Sequence, residues 1–463
     1  MTTLQFLGAA DCVTGSRFCL RHNGEEFLID CGLFQGRKEL RLRNWSSFPV
    51  QTGNIQHLVL THAHLDHSGY LPKLVREGFR GNVYASPATV DLCGLLLPDS
   101  GHIQEDDARY ANKKGFSKHK PALPLYTEQQ AIESLSLLKA VPYGRSFDLS
   151  DEVSITLKPS GHILGASLVS MQLRQDSRPL QVLFSGDLGR FGQPITHDPA
   201  PVQAADYLLV ESTYGDRLHE EGDSRQELAA VITKTAARGG MVLIPSFAVG
   251  RAQELMYILR ELEDSGDIPK LPVYVDSPMA INATRLLMKY PEEHDLEMTA
   301  MESSGIDSLN CHEVHFVRSA EHSKELNEQR FPMIVIASSG MATGGRVLHH
   351  LIRRLPDSRN TILFVGYQAE GTRGRAMLDG AEQIKIHGRY VTVRAEVKSL
   401  GYFSAHADYS EMLRWLRNLR QAPRATFLVH GESAPREALA RRIREELGWR
   451  VILPGHLEEC TLT

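Results

Sequence analysis

Three imidazoles and a carboxylate fall within six residues in His62-Ala63-His64-Leu65-Asp66-His67. Upstream, His57-Leu58-Val59-Leu60 reads as the end of a short buried strand. Downstream, apolar residues recur at near-helical spacing from Ser68 to Phe79 and stop at Gly78 and Gly81. The polar side chains therefore occupy a strand-to-helix turn, where the backbone can aim them at one point. Histidine and aspartate suit Zn²⁺, with Mn²⁺ and Fe²⁺ as the other candidates. Four ligands on one turn crowd a single tetrahedral ion, so His62 with His64 would serve one ion and Asp66 with His67 a second. A lone histidine would more often cap a helix or satisfy a loop. A cluster of this density points to metal.

A chain of 463 residues exceeds one ordinary domain, and two are expected. With 42% hydrophobic and 23% charged residues it has the composition of a globular protein. No run of eighteen apolar residues occurs, which argues against a transmembrane helix. The start, Met1-Thr2-Thr3-Leu4-Gln5-Phe6, lacks the basic and apolar regions of a signal peptide. The six cysteines form no CxxC pair and read as reduced thiols of a cytoplasmic protein. The net charge of −5 argues against a generally basic nucleic-acid binder, though not against a local basic groove.

Short apolar runs followed by one ligand-type side chain recur along the chain. Phe27-Leu28-Ile29 ends at Asp30, which before Gly32 would by itself be a turn residue. Val153 to Leu157 leads to His162, Leu180 to Phe184 to Asp187, and Tyr207 to Val210 to Glu211. Strand ends aligned on one sheet edge would gather His62, His162, Asp187 and Glu211. Between the first two of these, Pro87–Leu97 and Glu128–Ala140 are expected to be helical. The basic segment Lys113 to Lys120 could approach a phosphate backbone, but such runs are more often solvated loops.

From about residue 220 to 385 helical segments alternate with continuous apolar runs such as Val242-Leu243-Ile244, Val335-Ile336-Ala337 and Ile362-Leu363-Phe364. That alternation predicts a parallel sheet covered on both faces. Strand-then-ligand order then returns. Tyr390 to Val397 leads to Ser404-Ala405-His406-Ala407-Asp408, and Thr426 to Val429 to His430. The middle α/β segment is therefore expected to be an insertion, giving domain parts 1–212, 213–390 and 391–463.

The His62–His67 stretch resembles the HxHxDH signature of the metallo-β-lactamase superfamily, an αββα sandwich with one or two metals at a sheet edge. His162 and Asp187 match its third and fourth motifs. An insertion opening after Glu211-Ser212-Thr213-Tyr214-Gly215 and closing before Ser404-Ala405-His406 resembles the β-CASP branch. These are RNA-processing nucleases related to the pre-mRNA 3′-end cleavage endonuclease and ribonuclease J. Glu211, His406 and His430 fall on that branch's motifs A, B and C. Pro245 to Arg251, Tyr274 to Met279, Ser338 to Met341 and Gly366 to Thr372 are similar to its inserted-domain segments.

The resemblance implies two Zn²⁺, with Mn²⁺ as the other candidate. One would take His62, His64 and His162; the other would take Asp66, His67 and His430; Asp187 would bridge them, and Asp30 would support a ligand from just outside. A hydroxide activated between the two ions would attack a phosphodiester. His406 would protonate the leaving oxygen, with Glu211 setting its tautomer. His406 as a further ligand, and Glu211 as a helix-start carboxylate, are the plainer readings. The implied activity is endonucleolytic cleavage of single-stranded RNA, with 5′-to-3′ exonuclease activity besides. Ser338, Gly340, Arg251, Arg346, Arg373 and Arg375 are the candidate RNA contacts, against the equal alternative of plain turns and surface ion pairs. No membrane association is expected, and a homodimer is one expected assembly. A small-molecule thioesterase-type hydrolase and a non-catalytic RNA-binding paralogue are the alternatives.

Overall fold

Residues of the strand Leu180–Phe184 divide between two cores: Val182 and Phe184 join one apolar cluster, Leu183 another. That period of two is what a strand between packed layers requires. The computed structural model describes residues 1–463 except 116, 177, 220, 221, 367, 369, 370 and the side chain of 402. It divides into two units.

The first unit comprises Met1–Gln193, His197–Leu218 and His406–Thr463 and contains two seven-stranded sheets. In one sheet the strands run Glu459–Leu462, Thr2–Gly8, Arg17–His22, Glu25–Ile29, Ile55–Val59, Asn82–Ala85 and Leu138–Ala140. In the other they run Val451–Ile452, Ala425–Val429, Tyr207–Glu211, Leu180–Phe184, Ser167–Leu173, Val153–Pro159 and Ser146–Asp148. Leu4, Phe6, Phe27 and Ile29 of the first meet Ile155, Met171, Phe184, Leu209 and Phe427 of the second in a shared core. On the outer face of the second sheet, Leu208, Val210 and Leu428 pack with Trp415, Leu439 and Ile443 of the helices Tyr409–Leu416 and Ser433–Leu447. Helices Pro87–Lys114 and Glu128–Ser134 belong to the first sheet's side, the former touching the edge strand Leu138–Ala140. This is the expected αββα sandwich.

The parallel pairings decide where the ligands fall. Phe184 lies opposite Leu209, and Glu211 opposite Val429, so these strands end at a common edge. Ile29 likewise lies opposite Val59. Glu211 is the last residue of its strand, and Asp30, His62, Asp187 and His430 follow those ends within a few residues.

The second unit, Pro194–Thr196 with His219–Ala405, holds a six-stranded parallel sheet. Its order is Val314–Phe316, Val273–Asp276, Ile334–Ala337, Val242–Pro245, Thr361–Val365 and Glu396–Leu400. The central strands are buried along their whole length, as a parallel sheet between helices demands.

Three expectations need correction. Residues 391–405 do not return to the sandwich: Glu396–Leu400 pairs in parallel with Thr361–Val365 as the inserted sheet's edge. The alternation over residues 390–397 serves the second unit, where Val391, Val393, Ala395 and Val397 pack into its core, so it imitates the half-buried strands of the first unit. The helix from Glu128 stops at Ser134, and Leu138–Ala140 becomes an edge strand. The helix from Pro87 instead runs on through Pro98 to Lys114, capped by Gly115 at φ 66°. The basic segment follows that cap with Lys118 and Lys120 exposed; Phe116 lies outside the described residues. Among the described residues no helix is long and apolar enough to cross a membrane.

Candidate metal centre

The turn after Ile55–Val59 is held by backbone hooks from residues flanking the strands Arg17–His22 and Glu25–Ile29. Ser16 and Cys31 donate N–H bonds to the carbonyls of Asp66 and His67, and Leu33 to that of Leu65. Gly32 makes this approach feasible, since a Cβ there would stand 1.6 Å from the Asp66 carbonyl oxygen. The expected helix after the turn is two short pieces, Leu65–Ser68 and Leu71–Arg76, with His64 as the first N-cap. Asp66 and His67 therefore lie on a one-turn helix, and His62 and His64 just before it.

The structure gathers His62, His64, His162 and Asp187 in one group and Asp66, His67 and His430 in another; within each group the ligand atoms lie within 4.8 Å of one another. In the first group His64 Nδ1 is 3.1 Å from His62 Nε2 and 3.2 Å from His162 Nε2. Asp187 Oδ2 is 3.5 Å from the Nε2 atoms of both His62 and His162. In the second group His67 Nε2 and His430 Nδ1 are 3.1 Å apart, and each is 3.2 Å from Asp187 Oδ1. Asp66 Oδ2 stands further out, 3.8 Å from His430 Nε2.

A tetrahedron with ligand bonds of about 2.0–2.1 Å has edges of about 3.3–3.4 Å. These spacings are close to that edge. A ring nitrogen carries one in-plane proton or one lone pair. His64 Nδ1 therefore cannot hydrogen-bond well to two other imidazole nitrogens at once, whereas a shared cation would satisfy all three. Asp187 Oδ1 is buried without a hydrogen bond of good geometry. The residues present thus fit metal ions.

The electrostatics agree. Burial, followed by neighbouring imidazoles, pushes His62 well below its ordinary pKa, and burial also lowers His64. Their rings are neutral, with lone pairs to offer. Burial alone would raise Asp187, but His430, His67 and His62 hold its carboxyl well below the usual range.

Asp30 is buried at a strand end with φ 59°. Its Oδ1 accepts the Thr61 N–H at 2.7 Å, and its Oδ2 lies 2.7 Å from His67 Nδ1. Placing a proton on His67 Nδ1 turns the Nε2 lone pair toward Asp187. Asp30→Ala should weaken metal binding by about 10–100-fold, read by competition with a chelating dye. Unchanged affinity would return Asp30 to the role of a turn residue.

His406 and Glu211 form a third arrangement. His406 Nδ1 lies 3.1 and 3.2 Å from the two Glu211 oxygens and 3.9 Å from Asp187 Oδ2. Glu211 is fully buried, and its Oε1 also accepts the Leu188 N–H at 2.6 Å. Burial would lower His406, but Glu211 and then Asp187 and Asp66 raise it to about 9.

Two contributors escaped the sequence reading. Ser16 Oγ is 3.3 Å from His67 Nε2 and 3.2 Å from His430 Nδ1. Thr61 Oγ1 donates to Asp30 and lies 3.1 Å from His62 Nδ1. Thr61 heads the histidine cluster, which was its only signal; Ser16 carried none.

The candidate RNA contacts lie in the second unit, and most are engaged there. Arg346 donates to Asp276 and to the carbonyls of Val317 and Arg318. Arg373 donates to the carbonyls of Lys385, Ala342 and Thr343. Arg251 pairs with Glu254 and Arg375 with Asp379. Ser338 Oγ bonds Ser277 Oγ at 3.0 Å, and the Gly340 carbonyl accepts from Gln368. Arg346 and Arg373 thus fasten loops at the carboxyl ends of strands rather than standing ready for phosphate. Tyr367, Ala369 and Glu370 of the Gly366–Thr372 segment lie outside the described residues.

Comparison with known proteins gives matches over most of the chain. Residues 18–213 match the metallo-beta-lactamase superfamily, residues 252–377 the Beta-Casp domain, and residues 390–454 the Zn-dependent metallo-hydrolase RNA specificity domain. The chain is 38% identical over 435 residues to ribonuclease TTHA0252 of Thermus thermophilus, covering 94% of each chain. It is 32% identical over 466 residues to transcription termination factor FttA of Methanocaldococcus jannaschii, covering 98% of this chain and 71% of that protein. A crystal structure of a protein of unknown function from Enterococcus faecalis V583 aligns over the full length of both chains with a TM-score of 0.55 at 13% identity. That last likeness concerns fold alone.

Proposed function

Since the chain belongs to the β-CASP branch of the metallo-β-lactamase superfamily, we propose that it is a metal-dependent ribonuclease hydrolysing phosphodiester bonds of single-stranded RNA. Endonucleolytic cutting is the main mode, with 5′-to-3′ trimming as a second. The observation that carries this reading is Asp187, whose Oδ2 faces His62 and His162 and whose Oδ1 faces His67 and His430, with the His406–Glu211 pair beside it. The relatives named for ribonuclease activity and for transcription termination support RNA as substrate. A non-catalytic paralogue would have little reason to keep every ligand.

Two zinc ions are the expected occupants: His62, His64 and His162 would hold one, Asp66, His67 and His430 the other, and Asp187 both. When bound, such ions supply water activation at neutral pH and neutralise charge building up on the phosphate. His406 supplies the proton for the leaving oxygen. Glu211 fixes its Nδ1, so the ring presents Nε2–H, and the raised pKa keeps that proton in place at neutral pH.

Glu211→Gln tests that coupling. Removing the carboxylate removes the largest cause holding His406 up, so burial then drives it down. Activity should fall, and the alkaline limb of the pH–rate profile, where His406 loses its proton, should move to lower pH. A profile with an unmoved alkaline limb would detach Glu211 from proton transfer.

The reading as a whole is tested with end-labelled single-stranded RNA carrying a 5′-phosphate or 5′-hydroxyl. Internal cuts that vanish on chelation are expected. Intact RNA with a metal-loaded protein, alongside hydrolysis of a thioester, would overturn it.

A further inference from the structure

At the amino ends of the inserted sheet's strands lies a cavity of about 200 Å³, far from the carboxyl-end loops of the same sheet. Arg330, Arg353, Arg354, Arg359 and Asn360 line it, with Met241 in its floor. The floor is tightly built. A Cβ on Gly240 would stand 1.7 Å from the Arg359 carbonyl oxygen, and Asn360 accepts the Met241 N–H while donating to the Arg354 carbonyl.

Four guanidinium groups face two carboxylates here. Arg359 bonds Asp357 at 2.7 Å, and Arg353 pairs with Glu328 at 2.9 Å. Arg354 is only 2% exposed. Its Nη1 and Nη2 donate to the carbonyls of Gln329 and Leu326, each at 2.8 Å. Its Nε–H is buried without a hydrogen-bond partner among the described residues. Arg330 is exposed and forms no ion pair among the described residues. The surplus charge is felt: burial first, then Arg330 and Arg353, lowers Arg354 to about 10. A buried guanidinium with an unsatisfied donor and like charges around it is costly unless an anion is at hand.

We propose that this cavity binds a phosphate group, carried by a free phosphate or nucleotide or by a backbone phosphodiester of an RNA strand. Planar guanidinium forks match phosphate oxygens in pairs, and a hollow rather than a flat patch lets several converge on one group. A volume of about 200 Å³ is the share of roughly six or seven water molecules, enough for an oxyanion with part of its hydration. The proposal does not depend on the chain being a ribonuclease.

Calorimetric titration of inorganic phosphate into the full metal-loaded chain tests it, beside Arg330→Ala and Arg353→Ala. Both side chains are solvent-exposed, so both variants should fold. The metal centre also attracts phosphate, so the readout is the difference between native protein and variants. Each variant should lose about tenfold or more in affinity for one phosphate, and the loss should fade with added salt. Cleavage of a short RNA should be unchanged. Equal phosphate binding in all three proteins, or no binding in any, overturns the site. Competition by single-stranded RNA of increasing length then identifies the source. Displacement of the phosphate assigns it to a strand, and persistence assigns it to a free anion. A chain that cuts no RNA but loses phosphate affinity in Arg330→Ala would keep this site and lose the ribonuclease reading.

Discussion

His406→Ala is expected to keep the native metal content and lose RNA cleavage by about 10²–10⁴-fold, the usual contribution of a positioned proton donor. His406 belongs to neither group of converging imidazoles that includes His62, His162 and His430. Its Nδ1 faces Glu211 at 3.1 Å and comes only to 3.9 Å from Asp187. Truncation leaves Glu211 with its bond from Leu188 N–H, so the strand end should hold its place. The loss should be smallest for a phosphodiester whose leaving group is a strong acid, because such a group departs without a proton. Single-turnover cleavage beside metal analysis checks both halves. Metal lost together with activity would make His406 a ligand, and activity retained in full would take it out of proton transfer.

Asp187→Asn is expected to cost more: a largely emptied centre and no measurable cleavage. The carboxylate is the one group that both sets share. Oδ2 faces His62 and His162 at 3.5 Å, and Oδ1 faces His67 and His430 at 3.2 Å. Asparagine keeps the volume but offers one weaker oxygen and an amide that donates, and it removes the negative charge that neighbouring imidazoles now balance. Because that carboxyl is held well below its usual range, mild acidification should not protonate it. Loss of metal on acidification should instead follow the imidazoles. Metal content and cleavage falling together would separate this variant from His406→Ala. Full metal loading in Asp187→Asn would sink the shared-ligand arrangement.

Much of this candidate centre could be read from the chain because its residues obey a local rule. Each follows an apolar run that must be a buried strand, and parallel strands ending at one edge bring such positions together without further information. Asp187, Glu211 and His430 are found this way although they are far apart in sequence. The rule fails where burial is one-sided. Residues 390–397 alternate like a sandwich strand, yet Val391, Val393, Ala395 and Val397 pack into the core of the second unit. It also fails for helpers with ordinary side chains: Ser16, just before the strand Arg17–His22, acquires its place through its N–H bond to the Asp66 carbonyl. The arginines misled for a related reason. Positive charge beside glycine suggests phosphate, yet Arg346 is held by Asp276, whose other partners are His350, on the helix that Arg346 caps, and Ser323, on the helix Ala320–Glu328. No local pattern announces such a three-way contact.

His430 adopts φ 47°, a conformation costing a non-glycine residue about 1–3 kcal/mol, and it is anchored by its N–H to the Ala9 carbonyl near the opposite end of the polypeptide. The second group of candidate ligands therefore closes only once residues 9, 66, 67 and 430 have all been synthesised and brought together. A growing chain that has not reached residue 406 lacks both His406 and His430 and is expected to leave the message being translated uncut.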